Sequence, residues 1–203
     1  MYANVTRKSL LCAAGLALVS LTLSTGCGTA EDPELFPEPV ATLPELTQDS
    51  TAASTAALTP SQIETLRAQI LVEINKARAV ARVCGTKSYA AAPALKRNTK
   101  LDTAAQAHSV DMATKNYFSH TSLDGRSPFD RMSAAGYAFS AAAENIAAGN
   151  ATAAATVQQW IKSSGHCANL MSATYVDTGI GYGYNDKATY KHYWTQNFGK
   201  PLR

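Results

Sequence analysis

The stretch from Val176 to Phe198 constrains the fold more than any other. Val176, Thr178, Ile180, Tyr182 and Tyr184 alternate with Asp177, Gly179, Gly181, Gly183 and Asn185. A period of two held over that length describes a β-strand. After a turn at Asn185-Asp186 the alternation resumes from Tyr190 to Phe198, so the pair predicts a hairpin rich in aromatics and glycine. What precedes it reads as helical. Thr59, Pro60 and Gln62 supply an N-cap, a proline at the first helical position and the far partner of a capping box. Ile63, Leu66, Ile70, Ile74 and Ala77 then recur at helical spacing, predicting a helix to about Val83 with Gly85 just past its end. Leu101, Ala104, Ala105, His108 and Met112 mark a second helix ending near Asn116. A third runs from Ser127-Pro128 to Gly136, and a fourth from Thr152 to Lys162 with Val157, Trp160 and Ile161 on its buried side. Helices first and a hairpin last predict an α+β domain over residues 59–203, with helices covering an antiparallel sheet.

The first 58 residues have a different character. Arg7 and Lys8 precede an apolar run from Ser9 to Leu23 that ends in Ser24-Thr25-Gly26-Cys27. A basic start, a short apolar centre and small residues before a break describe an export signal, too short to span a bilayer comfortably. Small residues before a cysteine also describe a bacterial lipobox, although Leu23 stands one place further from Cys27 than usual. Residues 1–27 are therefore expected to be a lipoprotein-type signal peptide, with Cys27 acylated and anchored to a membrane. Gly28 after the cysteine is compatible with an outer-membrane address. Residues 28–58 are rich in Pro, Thr and Ala and carry Glu31, Asp32, Glu34, Glu38, Glu45 and Asp49 with no lysine or arginine. Such a segment buries too little to offset ordering and is expected to be a disordered tether.

The remaining residues hold 16 basic against nine acidic side chains, a surplus of +7. Lysine and arginine are scattered, which describes a solvated charged surface with some attraction to anionic envelope components. No basic-aromatic motif is present, and nucleic acid is not an expected partner.

Cys12 lies in the signal and Cys27 at its boundary, leaving Cys84 and Cys167. In an oxidising compartment these two are expected to pair. The closed loop of about 80 residues contributes at most roughly 4.5 kcal/mol on a chain-entropy argument. The bridge is expected to tie the His166 loop to the end of the first helix.

Three side chains are the candidates for chemistry: His120 in F-S-H-T-S, Glu144 in A-E-N-I-A-A-G and His166 in S-S-G-H-C-A-N-L-M. Two imidazoles and a carboxylate are the ingredients of a His₂Glu zinc site with an open position. They equally make a general acid and base oriented by a carboxylate, and spacing is compatible with either. His108 falls in the apolar stripe and is expected to be a core or rim residue. His192 is expected on a strand facing solvent. Ser163 and Ser164 lack a G-x-S-x-G elbow, which argues against a serine hydrolase. Trp160 and Trp194 are expected in the core, with Tyr182, Tyr184, Tyr193 and Trp194 as alternative walls of an apolar cleft.

Six segments together carry a likeness: A-H-S-V-D-M-A at 107–113, F-S-H-T-S-L-D-G-R-S-P at 118–128, A-G-Y at 135–137, E-N-I-A-A-G at 144–149, W-I-K-S-S-G-H-C-A-N-L-M at 160–171 and Y-W-T-Q-N-F-G at 193–199. In this order they resemble the bacterial branch of the CAP superfamily, named for cysteine-rich secretory proteins, antigen 5 and pathogenesis-related proteins. The resemblance implies an α-β-α sandwich with helices flanking a central, mainly antiparallel sheet. It also implies a cleft whose eukaryotic form holds two histidines and two glutamates able to bind zinc. His120 matches the first histidine and Glu144 the glutamate of G-E-N, with Ala143 in place of the glycine. The second glutamate falls on Ser163 and the second histidine on Tyr193, so half of that set is missing and His166 is the candidate to fill it.

The expected protein is thus extracytoplasmic, membrane-bound through Cys27 or secreted. Its His120, Glu144 and His166 cleft is expected to bind a lipid, sterol or cell-wall ligand, with or without zinc. An interaction domain without a ligand site ranks second, and a weak metal-assisted hydrolase third.

Overall fold

The computed structural model describes residues 58–202; the signal segment, Cys27 and the tether up to residue 57 lie outside them. Thr59 caps α1 (Pro60–Arg78) through the expected box, accepting from Gln62 N while its own N–H donates to the Gln62 side chain at 2.8 Å. The helix stops at Arg78 rather than near Val83. Past Ala77 the apolar stripe lapses, and Val80 and Val83 are both 61% exposed. Arg78 itself is buried, its guanidinium donating to the carbonyls of Pro93, Leu170 and Ser172. Val83 lies instead in β1 (Arg82–Cys84), which pairs with β2 (Lys87–Tyr89). Gly85, at φ +63°, makes the turn between them where the sequence suggests a helix stop.

A short β3 (Lys96–Arg97) leads into α2 (Thr99–Lys115), capped by Asn98 and closed by Asn116 in the left-handed region. Ser127 and Asp130 form the capping box of α3 (Pro128–Ala134). Then comes β4 (Phe139–Ala148), followed by α4 (Ala153–Lys162), α5 (Ser164–Met171), β5 (Asp177–Tyr184) and β6 (His192–Pro201). The main sheet runs β3-β5-β6-β4, with β4 and β5 antiparallel to β6 and β3 parallel to β5.

Helices cover both faces, which gives the α+β sandwich. On one side Ile70 and Ile74 of α1, Val157 and Trp160 of α4 and Leu170 of α5 pack on Ile180, Trp194 and Phe198. On the other, α2 lies directly on the glycines of β5. A Cβ at Gly179, Gly181 or Gly183 would run into backbone atoms of Leu101, Ala105 and Ser109 respectively. Four helical residues advance about 6 Å and two strand residues about 6.6 Å, so the glycines keep step with successive turns of α2.

The Cys84–Cys167 bridge is present, spanning 83 residues with Cα atoms 5.5 Å apart. It joins β1 to α5, where the expectation is a helix end and a loop.

Candidate functional site

Glu144 sits in β4 opposite Asn197 of β6, on the face covered by α2 and α3. Its side chain is 1% exposed, and both of its oxygens are engaged. Oε1 accepts from His120 Nδ1 at 2.9 Å, and Oε2 from Arg131 Nη2 at 2.7 Å. Asn197, with its amide oriented to satisfy both ends, donates to the same Oε2 at 3.2 Å and accepts from Ala105 N. A buried carboxylate without such partners would be strongly disfavoured; here a guanidinium supplies the charge and three donors supply the hydrogen bonds.

Arg131 is itself 4% exposed in its side chain. Its Nη1 donates to His120 O (2.9 Å), Ser122 Oγ (3.0 Å) and Arg126 O (3.0 Å), clamping the loop that carries His120. From the other side, buried His108 donates Nε2–H to Ser119 O at 2.9 Å and faces Ser122 Oγ with Nδ1 at 3.4 Å. Burial pushes the His108 pKa down and keeps its ring neutral, as a residue that only braces the loop requires. The His120 side chain is 48% exposed. Because a carboxylate only accepts, the neutral His120 ring carries its proton on Nδ1, which leaves the Nε2 lone pair unengaged by Glu144.

Two of the three residues expected to converge are therefore in contact. His166 arrives on α5, against the opposite face of the sheet. Its carbonyl accepts from Asn145 Nδ2 at 3.1 Å, and Asn169 braces Asn145 at 3.0 Å. Among the described residues no hydrogen bond links its ring to His120 or Glu144. The two histidines do feel each other: the His166 pKa is lowered, first by burial and second by the charge of His120.

His192, expected to face solvent, is half-buried, with Nδ1 2.6 Å from the Tyr182 hydroxyl. Tyr193 and Trp194, being neighbours on a strand, point to opposite faces and are both fully buried, so the aromatics do not line one cleft. Arg131, Ser122 and Asn197 escape sequence reasoning. A seven-residue helix is too short to show a stripe, so nothing local marks Arg131 as an inward-pointing charge.

The match to the Cysteine-rich secretory protein family (CAP) covers residues 71–198, more than half of the chain. The chain belongs to that family. It is 39% identical over 98 residues to the uncharacterized protein YkwD of Bacillus subtilis, covering 48% of this chain and 36% of the relative. It is 38% identical over 93 residues to the uncharacterized membrane protein YlbC of the same organism, covering 46% and 25%. The match thus spans well under half the length of either relative. An extracellular SCP-domain protein from Bacillus anthracis superposes with a TM-score of 0.52 at 28% identity, over 71% of this chain and 45% of that one. An outer surface protein of Borrelia burgdorferi gives 0.57 at 17% identity, over 72% and 98%, and shows the fold alone.

Within this CAP domain, the positions matched to the second glutamate and second histidine hold Ser163, at the α4–α5 junction, and Tyr193, buried against Met112 and Ile146. A resident zinc does not fit the groups that remain. Both Glu144 oxygens and His120 Nδ1 are committed, and the Arg131 guanidinium opposes a cation beside that acid. Among the described residues no group of three or more His, Cys, Asp or Glu is arranged to hold a metal ion. Nor is any described helix long and apolar enough to cross a membrane.

Proposed function

We propose that this CAP domain is exported, held to a membrane through an acylated Cys27 and the acidic tether, and binds an envelope ligand at His120. One observation carries the reading. A half-exposed imidazole is oriented by a buried, arginine-neutralised carboxylate, so its Nε2 lone pair is held toward the outside at little entropic cost on binding. A fixed acceptor selects a ligand that offers a hydroxyl or an amide N–H. Phe118 and Tyr190, 43% and 47% exposed and in edge-to-face contact, provide an apolar surface two residues from His120 in sequence. A hydroxyl on a largely apolar or ring-shaped body meets both demands, a description that covers sterols, lipids and cell-wall glycans.

The same arrangement would let His120 act as a general base, but the second glutamate and second histidine of the eukaryotic set are absent from their matched positions, which ranks hydrolysis below binding. The test is a titration of the full chain with cholesterol, phospholipid vesicles and soluble peptidoglycan fragments. His120→Ala is expected to weaken the bound member of that panel by about tenfold or more, and Glu144→Gln by less. Equal affinity in wild type and His120→Ala for every ligand retained would rule the reading out.

A further inference from the structure

The two edges of the main sheet are finished differently. Along β5 the outward main-chain groups are taken up one after another. The carbonyls of Val176 and Thr178 accept from Lys96 N and Asn98 N. Ile180 N–H donates to Asp102 Oδ1 at 2.8 Å, and the Ile180 carbonyl accepts from Arg67 Nε at 2.9 Å. Gln106 then stands in for a peptide unit, accepting from Tyr182 N at 3.2 Å and donating to Tyr182 O at 2.7 Å. An edge closed in this way has little left to pair with another strand.

The opposite edge, β4, is left open beside Glu144. Gly149 N–H donates to His192 O, which sets the alternation along the β4–β6 register: Ala143, Asn145 and Ala147 bond to β6, while the main-chain groups of Ala142, Glu144 and Ile146 turn outward. Trp160 Nε1 caps the Ile146 carbonyl at 3.1 Å. Among the described residues no hydrogen bond reaches the outward N–H or C=O of Ala142 or Glu144. Solvent does reach them: the Glu144 side chain is 1% exposed but the residue as a whole is 7% exposed, so what water touches is its main chain. The usual guards of an open edge are also missing. Phe139–Ala148 contains no lysine, arginine or proline, and its one irregularity falls at its start, between Phe139 and Ala141.

We propose that the β4 edge is a docking site for an extended, uncharged peptide, which adds a strand to the sheet by pairing with the main chain of Ala142 and Glu144. Each of these residues offers one donor and one acceptor to the incoming chain. The neighbours select the occupant. Ala141, Ala142 and Ala143 bring neither charge nor bulk, and Glu144 is already neutralised by Arg131, so a charged ligand residue would lose water there and gain no partner. On one face the His120 loop reaches Glu144, and on the other α5 holds Asn145 through the His166 carbonyl and Asn169. A single extended chain fits between such flanks, whereas a second copy of the domain would bring its own His120 loop and α5 against them. The pairing lies beside the His120 site but does not rest on the ring as an acceptor, because it uses main-chain groups alone.

The experiment follows the backbone amide resonances of Ala142 and Glu144 by NMR in the full chain labelled with ¹⁵N. The titrants are an end-blocked Thr-Val-Thr-Val-Thr peptide, its fully N-methylated counterpart, and an analogue with lysine at both valine positions. The parent peptide shifts both resonances saturably at millimolar concentration and slows their exchange with solvent. The N-methylated peptide does neither, and the lysine analogue binds several-fold more weakly. Ala142→Pro removes one outward N–H at a place where an edge strand accepts proline, and weakens the parent peptide by about tenfold. The N-methylated peptide makes the same test without altering the protein. The inference is overturned by the absence of a saturable shift with the parent peptide, by either analogue matching it, by unchanged affinity in folded Ala142→Pro, or by the same shifts on concentrating the protein alone, which would make a second copy the occupant. A negative result here leaves ligand loss in His120→Ala intact, and the converse also holds.

Discussion

On the sheet face toward α1, α4 and α5, the contacts are those of a hydrophobic core, with Ile70, Ile74, Trp160, Leu170, Trp194 and Phe198 interdigitated. On the face toward α2 and α3, three glycines bring backbone against backbone, and the buried groups include His108, Ser109, Arg131, Glu144 and Asn197. Apolar side chains repack after small changes in volume, so the first face should tolerate them. The second has no slack. Its helix sits at backbone contact distance, and its charges are satisfied only as a set. The residues that position His120 belong to this second face, so that the site depends on the less forgiving half of the molecule.

The largest expected difference comes from one substitution on each face. Gly181→Val forces a side chain into the Ala105 backbone and is expected to cost about 4 kcal/mol or more, against about 1 kcal/mol for Ile70→Val on the apolar face. Urea denaturation checks both; similar losses would erase the distinction. Next in size is Arg131→Met, which leaves Glu144 buried and unpaired at a cost of about 3–5 kcal/mol. Adding Glu144→Gln should recover much of that loss, and a double-mutant cycle with additive losses would contradict the pairing. Reduction of Cys84–Cys167 is expected to cost about 2–4 kcal/mol and to lower the melting temperature, because the bridge fastens α5 to β1. An unchanged melting temperature after confirmed reduction would contradict that assignment.

The smallest effect is pH dependence. His108, His166 and His192 all have pKa values lowered below 6.5, with burial the first cause in each. The unfolded chain therefore binds protons that the folded chain refuses. Their contribution to stability is fully present above about pH 6.5 and is lost as pH falls toward the folded values. His108→Gln should flatten this acidic limb in denaturation measured between about pH 7 and 5, whereas a limb of unchanged slope would place the linkage elsewhere.

The physics of legibility also divides along these faces. Helix caps at Thr59, Ser127 and Thr152 are local signals, and all three mark real helix starts. β4 escapes sequence reading because it is Ala-rich and covered on both faces, so no alternation betrays it. α5 escapes because Ser163 both ends α4 and begins α5, leaving no loop between them. His120 and Glu144 are legible as residue types in a family order. Their neutralising partner, Arg131, is not, since an ion pair between a short helix and a strand has no period. His166 adjoins the bridging Cys167 as the sequence indicates, yet it is carried on the far face of the sheet.

The central claim is that Glu144 sets the His120 ring while His108 merely braces its loop, and this gives the two rings opposite protonation. Long-range ¹H–¹⁵N correlation spectra at a pH where both rings are neutral measure that directly. The account predicts the Nδ1–H tautomer for His120, reverting toward the ordinary mixture in Glu144→Gln, and the Nε2–H tautomer for His108 in both proteins. An Nε2–H tautomer at His120 in the wild type, or a His120 spectrum indifferent to Glu144→Gln, would contradict it.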